Sequence, residues 1–210
     1  MTRVCLVGEN DCSLQYELLS RETARDALTA YDIREPFANA IAVETVSLGA
    51  AVALLNDLDW YLIRFVSEAL VLEPSVSEDE WLSRDLATAI RNDTVDPAET
   101  GRLLKIFGLV PPAAVDAQTG PGDGAGVQTL DGSESETDDT ARGQELHAAQ
   151  QADAADSDQD DITSPAERRS PPALVDPMLV ARTGDHVPEY DLREVPDTLV
   201  VRVTEAEFEG

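Results

Sequence analysis

Residues 40–74 read AIAVETVSLGAAVALLNDLDWYLIRFVSEALVLEP. This stretch holds no lysine and one arginine, Arg64, and no other part of the chain is as apolar. Ile41–Val46 alternates and branches like a strand. Ser47 can cap a helix that runs through about Leu58. From Leu48 to Leu55 that helix has no polar face, so it must be covered on nearly all sides. Trp60–Val66 is rich in β-formers and reads as a third strand, with Ala69–Leu72 extending it or forming a fourth. The reading is strand, buried helix, strand: the centre of a small core.

The flanks supply what packs on that centre. Thr2–Gly8 (TRVCLVG) is a short apolar run closed by glycine, a strand buried at Val4–Val7. Ser20–Tyr31 repeats apolar residues on one helical face. Ser77-Glu-Asp-Glu80 has the form of a capping box, which predicts a helix over about 78–92. Asp96-Pro97-Ala98-Glu99 is a second such start, predicting a helix over 97–108 with Gly108 as its left-handed cap. Residues 113–173 are different: 14 acidic and three basic residues, no aromatics, and much Gly, Ser, Gln and Ala. Such a composition cannot offset its ordering entropy, so the stretch is expected to be a disordered acidic loop. Met178–Arg182 and Thr198–Thr204 then read as strands, too few to sustain a core alone. The expected fold is α/β or α+β: one small domain from residues 1–112 plus 174–210, with a four- to six-stranded sheet and about four helices.

The chain of 210 residues carries a net charge of −27, with fourteen Arg and a single Lys, Lys105. Acidic residues occur throughout, which argues for adaptation to molar salt, where a Debye length near 3 Å screens self-repulsion. No basic cluster is larger than Arg168–Arg169, so direct nucleic-acid binding is not expected. The apolar run Leu48–Leu55 is far below the ~20 residues of a membrane span. Two cysteines, Cys5 and Cys12, stand seven apart and form neither a redox nor a zinc pair. With no basic leader at the start, these features predict a reducing, cytoplasmic setting.

Candidate chemistry is sparse. His147 falls in the acidic stretch and His186 beside a Gly-Asp turn, which leaves no nucleophile–His pair in the core. No phosphate-binding glycine loop follows the first strand, and no cofactor motif is present. If the first two strands were parallel neighbours, Glu9, Asn10 and Asp11 would meet Ser47 and Gly49 at their carboxyl ends, where a helix start could hold an anion. Asp57 and Asp59 flank a turn and read as polar turn residues. Arg64 lies amid Leu62, Ile63, Phe65 and Val66; buried there, it would need Glu44 or Glu68 as a partner, and otherwise it points to solvent on an open face or binds an anionic ligand. Asp156, Asp158, Asp160 and Glu167 match four positions of a calcium loop, but Asp161 stands where its glycine belongs.

The runs YELLSRETARDAL, AVETVSLGAAVALLNDLDWYLIRFV and EWLSRDLATAI together resemble an uncharacterised protein family of haloarchaea, over about Met1–Val110 and the last ~35 residues. The resemblance implies no activity, cofactor or site residue. The expected function is a non-enzymatic binding or regulatory module with a protein partner. The competing expectation is a small enzyme or a nucleotide- or anion-sensing domain that uses Glu9, Asp11 and Arg64.

Overall fold

A computed structural model describes residues 1–111, 170–184 and 186–210. Residues 113–169 of the expected acidic loop, with His147 and the calcium-like pattern, lie outside the described residues. The fold is α+β. Seven strands form one mixed sheet: β1 (Thr2–Gly8), β2 (Ala40–Thr45), β3 (Val66–Leu72), β4 (Trp81–Ser83), β5 (Leu103–Val110), β6 (Ala173–Ala181) and β7 (Asp197–Arg202). Their order is β2-β1-β3-β4-β7-β5-β6. Neighbours pair antiparallel except β4 and β7, which run parallel over Trp81↔Val201 and Leu82↔Arg202. The sheet is larger than expected because residues 103–110 add a strand where a helix was read.

Six α-helices are described: α1 (Leu14–Leu19), α2 (Glu22–Leu28), α3 (Leu48–Asp57), α4 (Asp59–Phe65), α5 (Arg84–Arg91) and α6 (Glu205–Glu209). Helices α1–α5 cover one face of the sheet, burying Val4, Leu6, Ile41, Val43, Val71 and Leu82 against Leu14, Leu18, Leu28, Leu55, Leu58 and Leu86. The other face buries Cys5, Leu70, Leu72, Phe107, Leu199 and Val201. It does so by curling. Glu68 on β3 forms an ion pair with Lys105 on β5, although three strand spacings would set flat neighbours about 14 Å apart. The Ala38 N–H also donates to the Pro172 carbonyl at 2.8 Å, joining the segments that lead into the two edge strands. The sheet therefore closes over its own second face, so that both of its faces bury apolar side chains.

Four readings from the sequence are corrected. Residues 60–66 are not a strand: Asp59–Phe65 is helix α4, and the strand begins at Val66. Leu58 and Leu62, one helical turn apart, are both buried against α1, α3 and the sheet, and that tertiary burial overrides the β-propensity of Trp-Tyr-Ile-Phe. Residues 97–108 are not a helix: Pro97–Glu99 is one 3-10 turn, and β5 follows. Asp96 does cap that turn through the Ala98 N–H at 2.9 Å. Gly101 then takes φ +91, a left-handed conformation that ends the turn and starts the extended run. Gly108 is no helix cap but lies within β5, where a Cβ would meet Val195 at 2.9 Å and Tyr190 at 3.1 Å. The helix expected from residue 78 begins at Arg84, capped by Ser83, whose Oγ accepts from the Leu86 N–H at 3.2 Å. Finally, β1 and β2 are antiparallel, not parallel neighbours.

Candidate functional site

That last correction separates the residues expected to meet. Gly8, at the carboxyl end of β1, lies beside the start of β2; Thr2, at the other end of β1, pairs with Thr45. Glu9, Asn10 and Asp11 therefore sit near Asn39, and Ser47 and Gly49 lie at the opposite end of the two strands. Ser47 performs the capping role read for it, its Oγ accepting from the Ala50 N–H at 3.2 Å. A cleft of about 500 Å³ opens at the Glu9 end, lined by Asn10, Cys12, Gln15, Glu35 and Asn39 among others. The Asn39 side chain is fully used in shaping it. At φ +52 its amide donates to the Glu9 and Cys12 carbonyls and its Oδ1 accepts from the Leu14 N–H at 2.9 Å. Arg64 does not line this cleft. The Cys5 thiol is buried, and burial pushes its pKa up to about 12, so it is no nucleophile at neutral pH.

Arg64 is exposed on the outer face of α4, because residues 59–65 are helical. Glu44 pairs with Arg34, and Glu68 with Lys105. The guanidinium of Arg64 instead lies over the Trp60 ring, 4.8 Å from its centroid, one helical turn away. Arg21 approaches the same ring at 5.7 Å and the Phe65 ring at 5.1 Å. Arg21 is held by Glu17 at 2.8 Å across one turn of α1 and its C-terminal extension. Tyr61 and Phe65 meet Trp60 edge-on, at 5.0 and 6.2 Å. The result is a surface cluster of one indole, two guanidiniums and two further aromatic rings. Ile63, 76% exposed, lies beside it on the same face.

A second cluster joins distant parts of the chain. Glu80 sits one residue before β4. Its Oε1 accepts from Arg182 Nη2, and its Oε2 from Arg202 Nε at 2.6 Å. Arg202 Nη1 also donates to Thr100 Oγ1 at 3.0 Å. All three charged side chains are partly buried, 16% exposed for Glu80 and Arg182 and 13% for Arg202. Gly101 packs against this group; a Cβ there would stand 3.1 Å from the Arg202 guanidinium carbon. Burial alone would raise the Glu80 carboxyl, but the hydrogen bonds and charges of Arg202 and Arg182 outweigh it and hold the group below the usual carboxylate range. The capping-box reading had half of this turn: Ser77 Oγ does accept from the Glu80 N–H at 3.0 Å. The carboxylate, however, turns to arginines more than a hundred residues away, which no local pattern could indicate.

The model of a family of unknown function, DUF5804, matches residues 2–109. The chain belongs to that family. The matched span covers β1 to nearly the end of β5, including Trp60, Arg64 and Glu80, and stops before β6, Arg182 and Arg202. No curated protein and no solved structure matches the chain. Among the described residues, no helix is long and apolar enough to cross a membrane.

Because the Glu80 pKa is depressed in the folded state, its stabilisation is present above the unfolded-state pKa and is lost as pH falls through the folded one. Replacing Glu80 with Ala leaves two partly buried guanidiniums without their shared carboxylate and is expected to cost about 1–3 kcal/mol near pH 7. Urea unfolding at constant salt should show that gap narrowing as pH drops below the ordinary carboxylate range. A pH-independent gap would contradict the assignment.

Proposed function

We propose that the protein is a non-enzymatic binding module of a salt-rich cytoplasm, and that it holds a protein partner on the outer face of α4. The observation that supports this reading is Trp60. The indole is 52% exposed, yet two guanidiniums and two aromatic edges fix its orientation. An exposed aromatic that is already immobilised loses little side-chain entropy on association. Trp and Arg are the residue types that most often dominate interface energies. Ile63 adds apolar area on the same face. Arg64 lies with no carboxylate in ion-pair reach among the described residues, so its N–H fork is available to a carboxylate on the partner.

The rival reading, an enzyme or anion sensor at the ends of the first two strands, loses its geometric support. It drew on Glu9, Asp11 and Arg64, with Ser47 and Gly49 near Glu9–Asp11 only if the strands were parallel, and the antiparallel pairing puts those two groups at opposite ends of β1 and β2.

The salt part of the proposal rests on charge. At −27 the folded chain repels itself, and concentrated salt relieves that repulsion while a carboxylate-rich surface stays hydrated. Circular dichroism against KCl concentration is expected to show cooperative folding only well above physiological salt. A chain fully folded in dilute buffer would overturn that part.

The partner face has its own test. Wild-type protein and the Trp60→Ala and Ile63→Ser variants serve as baits in native extract at molar KCl. A protein retained by the wild type should fall by about 30-fold with Trp60→Ala, the loss expected of a dominant interface residue. The same variant should change folding stability by less than about 1 kcal/mol. Equal retention by all three baits would contradict the assignment.

A further inference from the structure

The two edges of the sheet differ. On β2, Arg34 covers the outer side: its N–H donates to the Ala42 carbonyl at 2.9 Å, and its carbonyl accepts from the Ala42 N–H at 2.7 Å. Strand β6 is the other edge and pairs only with β5 among the described residues. Hydrogen bonds fix which way its backbone faces. The Arg182 N–H donates to the Arg102 carbonyl at 2.7 Å, whereas the Leu103 carbonyl turns the other way and accepts from the Val203 N–H at 3.1 Å. Residues 102 and 182 are therefore a hydrogen-bonded pair, and so, two residues along, are Leu104 and Val180. Successive residues of a strand alternate in direction, so the N–H and C=O groups of Leu179 and Ala181 point off the sheet. Edge strands are normally blunted by charge, proline or a bulge. Here the bulge and proline stand at Asp176 and Pro177, where Asp176 takes φ +39. Beyond them Met178-Leu179-Val180-Ala181 carries no charge, in a chain with 42 acidic residues. Leu179 is 43% exposed, and Ala181 is exposed beside it. Such an edge is a template for another strand.

The strand that fits this edge best is the edge itself. About a two-fold axis, residue i of one copy faces j of the other and j faces i. Only the outward-facing residues can exchange hydrogen bonds across the axis. A register centred on Leu179 sets Ala181 against Pro177, which has no N–H to give. One centred on Ala181 sets Leu179 against Thr183, which is already bridged to His186. Centred on Val180, Leu179 of each copy meets Ala181 of the other, and every outward N–H and C=O of these residues finds a partner. Leu179 and Ala181 lie on the same face of β6, so each exposed leucine is covered by the opposing alanine. Arg182 then lies opposite Met178 of the second copy, so no like charges face each other in the paired stretch. The mutual repulsion of two chains of charge −27 is screened within about 3 Å in molar salt. We propose that the chain forms a two-fold dimer by antiparallel pairing of β6 with β6 of a second copy, centred on Val180. This pairing is independent of the α4 face.

The experiment is sedimentation equilibrium of the full chain in molar KCl. The wild type is expected to show a mass that rises with concentration toward twice that of the chain. Ala181→Glu, at an exposed position, sets an unpaired carboxylate against Leu179 of the second copy and should weaken association by about tenfold or more. Leu179→Ser removes only apolar contact and should weaken it less. Circular dichroism at low protein concentration should show both variants folded. The register has a separate test, made with Cys12→Ser as background so that the buried Cys5 is the one native thiol left. Val180→Cys places its thiols across the axis at a non-hydrogen-bonded pair, where Cα atoms stand about 4.5 Å apart, within disulfide reach. Mild oxidation should cross-link that variant to a covalent dimer, and should leave Met178→Cys, which faces Arg182 instead, uncross-linked. A wild type that stays monomeric at every concentration, undiminished association of Ala181→Glu, or cross-linking at residue 178 rather than 180 would overturn the proposal.

Discussion

A single carboxylate shared by two arginines joins the halves of this fold. Strand β4 is three residues long and meets β7 through two register pairs. That short parallel contact is where β1–β3 connect to β5–β7. Glu80 lies immediately before β4, Arg202 at the end of β7 and Arg182 just past β6, so their ion pairs clamp the junction from one side. Ser83, at the end of β4, donates to Glu207 of α6 at 2.7 Å and ties the chain terminus to the same place. Glu207 also completes a capping box with Thr204, so the terminal helix and the junction share one carboxylate. On the concave side, Lys105 reaches Glu68 across the curl. The lone lysine of the chain is thus spent on closing the sheet, its ammonium 5.3 Å from the Phe107 ring centroid.

Much of the sheet could be read from residue pattern alone. Thr2–Gly8 and Ala40–Thr45 announce themselves because local propensity, burial and flanking turns agree there. Helix α3 begins at the Ser47 cap and stays apolar, as its sequence indicates. The joining of the C-terminal strands to the N-terminal sheet followed from core size, because about 37 residues cannot fold alone. The misreadings have one physical source. Apolar runs such as LLKIFGLV and WYLIRFV carry no periodicity that distinguishes helix from strand; their neighbours decide. Residues 103–110 become a strand because β6 and β7 flank them on both sides. Residues 59–65 become a helix because Leu58 and Leu62 fall into a pocket made by α1, α3 and the sheet.

The candidate sites were less legible still. Arg64 stood out as a residue that needed explanation, and its explanation is the Trp60 face, visible only once the segment is known to be helical. Glu80, Arg182 and Arg202 gave no sign, because three charged residues in a chain this acidic are unremarkable until folding brings them together. The expected convergence of Glu9, Asn10, Asp11, Ser47 and Gly49 depended on strand direction, which no local feature of β1 or β2 encodes. What remains is a fold held by a few long-range ion pairs, beneath a surface on which, among the described residues, most other carboxylates form no ion pair. In such a molecule the pairs that are buried decide structure, and the exposed cations mark the places to look for contacts.

The central claim is that β1–β5 and the strands after residue 170 form one cooperative sheet through the β4–β7 junction. Native-state amide hydrogen exchange at folding-permissive salt measures this directly. The account predicts that the amides of Val4, Leu70, Ile106 and Val201 exchange through one common opening with the same free energy. Exchange of Ile106 and Val201 at a clearly lower free energy than Val4 and Leu70 would contradict it, showing that the two halves unfold independently.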